Sequence, residues 1–111
     1  MDTKQIIQKT AEVSAEFEKR GAAFSKKDWV LDLAEEVGEL AQAVLIVEGV
    51  KHTNDPKKQK TVEDIKDALS DILYDLSNLA RDYQTDLFEE YEAMLERLKA
   101  RLAGGEFGEE T

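Results

Sequence analysis

Carboxylates carry most of the chemical capacity of this chain, because thiols and imidazoles are almost missing from it. The 111 residues contain no cysteine and a single histidine, His52. Thiolate metal sites and cysteine nucleophiles are therefore excluded, and little room is left for a Ser-His-Asp triad or a histidine-rich zinc site. Acidic side chains number 25 against 15 basic ones, for a formal net charge of −10. Their spacing is ordered. At ~100° per helical residue, Asp32, Glu35 and Glu39 fall within roughly 60° of one another, and Glu36 lies about 60° from Glu39. Asp64, Asp67, Asp71, Asp75, Asn78 and Asp82 share a second arc about 80° wide.

Each acidic row borders an apolar one. Trp29, Leu33, Val37, Leu40, Val44 and Val47 adjoin the first, and Ile65, Leu69, Ile72, Leu76, Leu79 and Tyr83 the second. Consecutive helices usually fold back on each other. With hairpin ends at Gly49 and Thr61 and equal rises of ~1.5 Å per residue, Glu39 comes opposite Asp71, and Glu35 and Glu36 come level with Asp75. Such a cage is costly when empty. Like charges at i, i+4, such as Asp67/Asp71, Asp71/Asp75 and Glu35/Glu39, each destabilise a helix by a few tenths of a kcal/mol. Facing rows at a partly buried edge add to this or force protonation. A divalent cation relieves the repulsion, and all-oxygen ligands select magnesium or manganese. The plain alternative is a solvated face on an acidic protein.

The elements that must position these acids are helices throughout. One proline, six glycines and long stretches of Ala, Leu, Glu, Lys and Asp give an all-α composition. A first helix is expected from about Thr3 to Arg20, stopped by Gly21. Ser25 with Asp28 forms a capping-box pattern opening a second, closed by Gly49. A polar loop follows, with a short helical turn after Asp55-Pro56. Thr61 with Asp64 opens a third helix running to about Tyr83, and Asp86 with Glu89 a fourth ending near Leu102. The expected architecture is one four-helix, bundle-like domain over residues 1–103, with an acidic, glycine-rich tail at 104–111 that frays. The negative charge argues against a nucleic-acid polymer as partner. The longest apolar run, Ala43 to Val47, is far short of a membrane span, and Met1 to Gln5 has no basic leader, so a cytoplasmic location is expected.

The segment Leu33-Ala34-Glu35-Glu36-Val37-Gly38-Glu39-Leu40 resembles the Glu-Glu-x-x-Glu motif of the MazG-like all-α nucleoside triphosphate pyrophosphohydrolases. The stretch Asp71-Ile72-Leu73-Tyr74-Asp75-Leu76-Ser77-Asn78-Leu79-Ala80-Arg81 is similar to that family's second motif region, where Glu-x-x-Asp completes the metal site. The likeness covers about Asp28 to Arg101. It implies hydrolysis of a nucleoside triphosphate between the α and β phosphates, to monophosphate and pyrophosphate, with magnesium. It also implies a homodimer or homotetramer that completes the bundle across subunits. Glu35, Glu36, Glu39 and Asp71 match the family's metal-binding acids. The remaining family glutamate falls on Ala68, a departure for which Asp67, on the same helix face as Asp71, is the available substitute. Asn78 fits an asparagine of many relatives, with an amide suited to a base edge or a sugar hydroxyl. Arg97 and Arg101 keep the family's charges on helix four, where Leu95 replaces a frequent asparagine.

Under this resemblance Glu36 or Glu39 orients or deprotonates the attacking water. Lys26, Lys27, Arg81, Arg97 and Arg101 are candidate phosphate ligands, with Lys51, Lys57, Lys58 and Lys60 reaching the site only if their loop folds back. Trp29 is placed to stack on a base or to serve the core. Gly38, costing ~1 kcal/mol in a helix, suggests close approach by another helix. Two rival readings remain. One is an acidic helical binding module that takes nucleotide or metal without turnover. The other is a dUTP- or phosphoribosyl-ATP-specific member of the same superfamily.

Overall fold

A computed structural model describes residues 1–109. Four α-helices follow in order: α1 (Thr3–Lys19), α2 (Lys26–Val47), α3 (Val62–Asp82) and α4 (Leu87–Ala103). No strand occurs among the described residues. Side-chain caps set the starts. The Asp2 carboxylate accepts the Gln5 N–H at 2.9 Å, and the Gln5 side chain returns the bond to the Asp2 N–H. Ser25 and Asp28 exchange the same pair of bonds at the head of α2, and the Thr61 N–H donates to Asp64 at 2.7 Å at the head of α3. Asp86 accepts from the Phe88 and Glu89 N–H groups. These bonds satisfy N–H groups that a helix start leaves without internal partners. Gly21 and Gly49 follow α1 and α2 with φ of 87° and 75°, the left-handed geometry that turns the chain out of a helix at little steric cost.

The connection between α2 and α3 contains one 3₁₀ turn, Pro56–Lys58, capped by Asp55 as the Asp-Pro pair predicts. α2 and α3 form the most closely packed pair, and α3 also touches α1 and α4. Trp29 and Ala43 of α2 and Ala68 of α3 are the buried apolar residues, surrounded by half-buried Leu33, Leu40, Ile65, Ile72, Leu76 and Leu79. Gly38 has no non-local atom within 4 Å of where a Cβ would stand, so the close helix approach expected there does not occur within the chain.

The all-α class is as expected, but the four helices do not close around one core. The radius of gyration is 17.9 Å, against about 13 Å for a compact chain of this length. The accessible surface is 8701 Å², against roughly 6200 Å² for a compact monomer of this mass. The excess is partly apolar: Leu31 is 69% and Leu69 53% exposed, and Val37, Val44 and Tyr83 of the expected stripes are exposed too. The tail also departs from expectation. Residues 104–107 turn back on α4, with Glu106 bonded twice to Arg101 at 2.7 Å and the Phe107 ring 4.7 Å from its guanidinium. The last two residues of the expected tail lie outside the described residues. Among the described residues, no helix is long and apolar enough to cross a membrane.

Candidate active site

The α2–α3 hairpin brings Asp32 and Glu36 of α2 to Asp71 and Asp75 of α3, and all four line one cavity of about 370 Å³. Its remaining walls are mostly apolar, made by Phe17 and Ser14 of α1, Ala22 and Phe24 of the following turn, Trp29 and Tyr74. Local structure explains the wall. The Ala22 N–H donates to the Phe17 carbonyl as the chain leaves α1, which carries Phe24 to Trp29 at 4.8 Å between ring centroids. Tyr74 meets Trp29 edge-on at 5.8 Å. Tilted and edge-to-face contacts of this kind hold aromatic rings in fixed orientation.

The acids are strained electrostatically. Asp75 is only 2% exposed, and its Oδ2 has no hydrogen-bond partner. Burial, above all, pushes its carboxyl up to about 7, helped by a hydrogen bond with Asp32 and by the charges of Asp32, Glu36 and Asp71. Glu36 also has a buried Oε2 without a partner. Its pKa is raised first by burial, then by Glu39, Asp71, Asp32 and Glu35. Among the described residues, the ion pairs lie elsewhere: Glu16 with Lys19 and Arg20, Glu63 with Lys66, and Glu106 with Arg101. None of them reaches the four acids of the cavity.

Of the residues expected to bind metal, Glu36 and Asp71 line the cavity, and Glu35 and Glu39 are near enough for their charges to act on Glu36. Asp67 is exposed, lines no part of the cavity and is not among the charges acting on Glu36. Ala68 is buried in the core. Among the described residues, no three Asp, Glu or His side chains stand together as a group able to hold an ion. Exposed like charges without a counterion extend into water, and Glu35, Glu39, Asp67 and Asp71 are all exposed. The donor chemistry nevertheless fits a hard cation. Every candidate ligand is a carboxylate, and two facing helices each carry a buried carboxylate oxygen that lacks a partner.

The residues expected to bind substrate are dispersed. Trp29 lines the cavity but is itself buried. Arg81 donates to Ser14 Oγ at 3.2 Å, tying α3 to α1 beside the cavity. Asn78 is fully buried, and its Nδ2 donates to the Tyr74 carbonyl at 2.9 Å, which places it behind the wall instead of in the cavity. Lys27 is exposed at the head of α2, and the neighbouring Lys26 ammonium lies 4.6 Å from the Tyr83 ring. Arg97 is exposed on α4, and Arg101 is engaged by the tail. Lys51, Lys57, Lys58 and His52 are exposed in the hairpin loop. The sequence places Asp75 in the acidic cage and Asp32 in the acidic arc of α2 but gives neither a metal-binding, catalytic or substrate-binding role. Comparison with protein-family models, with curated proteins and with solved structures gives no match.

Proposed function

We propose that the chain is a magnesium-dependent nucleoside triphosphate pyrophosphohydrolase that cleaves between the α and β phosphates. The observation carrying this reading is the convergence of Asp32, Glu36, Asp71 and Asp75 with an aromatic wall on one cavity. Acids without protein counterions suit a cation-borne polyphosphate, and an apolar wall suits a base. Magnesium, or manganese in its place, held by Glu36, Glu39 and Asp71, with Glu35 and Asp67 as further acids of the same rows, would screen the polyphosphate, stabilise the pyrophosphate leaving group and lower the pKa of the attacking water. Glu36, which lines the cavity and whose pKa is raised by burial, is the first choice for the carboxylate that orients or deprotonates the water, and Glu39 is the second. Arg81, which lines a neighbouring hollow with Phe24 and Trp29, and Lys27, two residues before Trp29, are the basic candidates for the phosphates. Arg97 and Arg101 reach a site only across subunits. The large uncovered apolar surface supports a homodimer or homotetramer, which would also close the open side of the site.

The test is a panel of common and modified nucleoside triphosphates with magnesium and with manganese, scored for monophosphate and pyrophosphate. Release of orthophosphate instead would place the cleavage elsewhere and remove the assignment. One observation favours the rival, a binding module without turnover: alanine stands at position 68, where the resembled pattern has a ligand, and no preformed ion site is present among the described residues. Magnesium-dependent stabilisation with no pyrophosphate from any nucleotide would decide for it. A dUTP- or phosphoribosyl-ATP-specific enzyme would appear as a single active substrate in the same panel.

A further inference from the structure

The acids of the cavity face one another in two layers along the hairpin. In sequence Asp32 stands four residues before Glu36, and Asp75 four after Asp71. The antiparallel pair therefore sets Asp32 beside Asp75 and Glu36 beside Asp71, with a step of ~6 Å between the layers. The interactions agree with that pairing, since Asp32 reaches Asp75 by a hydrogen bond and the charge of Asp71 acts on Glu36. Each layer holds one buried carboxyl oxygen without a partner: Asp75 Oδ2 in the first, Glu36 Oε2 in the second. Asp75 is only 2% exposed and lines the cavity, so whatever reaches its free oxygen must come through that cavity. Among the described residues, no three acids draw together around one point. Two separated layers, each with its own unfilled acceptor, fit a ligand whose positive charge is divided between two heads better than they fit a single ion. The aromatic wall of Phe17, Phe24, Trp29 and Tyr74 supplies an apolar surface beside them.

We propose that this cavity binds an aliphatic diamine in its doubly protonated form, with one ammonium head between Asp32 and Asp75 and the other between Glu36 and Asp71. An alkylammonium brings three N–H donors and no acceptor, which is what an array of carboxylates without donors lacks. Its hydrogen bonds to carboxylates are charge-assisted and among the stronger ones available to a protein. A four-carbon spacer suits the step between layers: five bonds of ~1.5 Å at tetrahedral angles hold the two nitrogens about 6 Å apart. The methylene chain packs on the aromatic wall as the stem of a lysine does on an apolar surface, and the faces of Trp29 and Tyr74 favour a nearby cation. A quaternary ammonium shares that last attraction but has no N–H for the two free oxygens. Lysine and arginine side chains of the protein do not fill the role, since the ion pairs among the described residues involve none of the four acids. The inference goes beyond the hydrolase reading and needs neither nucleotide nor metal.

Trp29 is the chain's only tryptophan, so its indole N–H gives a single resonance that reports on the cavity wall. The experiment titrates the full-length ¹⁵N-labelled protein, in chelator at pH 8, with 1,4-diaminobutane, butylamine and tetramethylammonium. Physiological salt screens general attraction to the acidic surface beyond ~8 Å. The diamine is expected to shift the Trp29 resonance saturably. Butylamine, which has one head and stands in for a lone lysine side chain, and tetramethylammonium, which has no N–H, are each expected to bind more weakly by roughly tenfold or more, the loss that follows when a charge-assisted partner is removed. Asp75→Asn and Glu36→Gln take one charge from the first and second layer respectively, and each is expected to weaken the diamine by roughly tenfold. Glu92→Gln, which takes the same charge from an exposed position on α4, is expected to leave its binding unchanged. Equal affinity for the diamine and butylamine, or no saturable shift with the diamine, overturns the proposal without using a variant. A loss with Glu92→Gln as large as with Asp75→Asn overturns it too, because attraction to the net charge would then explain the binding. No arm of the titration involves turnover, so the hydrolase reading stands or falls separately on pyrophosphate release.

Discussion

Asp75→Asn tests whether the buried carboxyl is the strained centre of the molecule. The Asp75 carboxyl is pushed up to about 7 from an ordinary 3.8, mainly by burial. A carboxyl raised on folding keeps its proton while the unfolded chain has lost it, so folding is favoured at low pH and weakened as pH rises. No penalty exists below about pH 4, it grows through the window between the two values, and it is complete above about pH 7. Each unit in that window is worth 1.36 kcal/mol, so the full effect is about 4 kcal/mol, of which about 3 falls between pH 5 and pH 8. Relaxation of the side chain and water entry into the cavity reduce this, and a realised difference of about 2 kcal/mol is expected. Asparagine keeps the shape and hydrogen-bonding capacity but cannot ionise. In urea denaturation followed by circular dichroism, at fixed protein concentration and with chelator, the wild type should therefore lose about 2 kcal/mol more than Asp75→Asn between pH 5 and pH 8. Asp67→Asn, at an exposed acid of the same helix, should track the wild type. Parallel loss in wild type and Asp75→Asn would refute the argument, because it would mean that Asp75 ionises in the folded state as freely as in the unfolded chain.

Three further outcomes follow from the same acids and from the open bundle. Magnesium in the millimolar range should raise the urea midpoint more at pH 8 than at pH 5, because protons and cations compete for Glu36 and its neighbours; an effect equal at both pH values, or none, would speak against a carboxylate cation site. Glu36→Gln and Glu39→Gln should each lower magnesium-dependent pyrophosphate release by roughly a hundredfold or more, and full activity in either would remove that residue from the chemistry. Sedimentation analysis should find a dimer or larger species at micromolar concentration, weakened by Leu31→Lys on the exposed apolar surface; a monomer at every concentration would show that the surface has another use.

The helices were legible because their signals are local. Ser25/Asp28, Thr61/Asp64 and Asp86/Glu89 are capping patterns complete within four residues, and each one opens a helix where it stands. The hairpin register followed from helix rise alone, and the meeting of Glu36 with Asp71 and Asp75 agrees with it to within about a turn. Two features were less accessible. The apolar stripes on α2 and α3 implied that Val37, Val44 and Leu69 were all covered, but an amphipathic face records only that something must cover it, and in one chain these residues remain exposed. The roles of Asp67 and Asp75 were also misweighted. Relative to Asp71, Asp75 is rotated about 40° toward the apolar arc of α3 and Asp67 about 40° away from it. That difference is present in the sequence, and it sends one carboxyl into the cavity wall and leaves the other in water. An arc that wide spans both the cavity side and the solvent side of α3. On α2 the same arithmetic orders the acids by closeness to the apolar stripe as Glu36, Asp32, Glu39, Glu35, and burial follows that order: the first two are half-buried and the last two exposed.

A buried carboxyl that weakens the fold near neutral pH is hard to account for as packing. A leucine or asparagine at position 75 would continue the face on which Ala68 and Ile72 already sit, without charge repulsion from Asp32, Glu36 and Asp71. Groups of this kind are informative because their environment opposes them, and such opposition is concentrated where ligands bind. The unpartnered oxygens of Glu36 and Asp75 carry the same implication by a different route, since each costs roughly 1–3 kcal/mol until something donates to it or coordinates it. The two penalties coincide at one cavity, between the two helices that pack most closely. A species that supplies a cation to Glu36 and Asp71 and hydrogen-bond donors to the carboxyls of Asp32 and Asp75 would relieve both, whereas a cation alone would answer only the first.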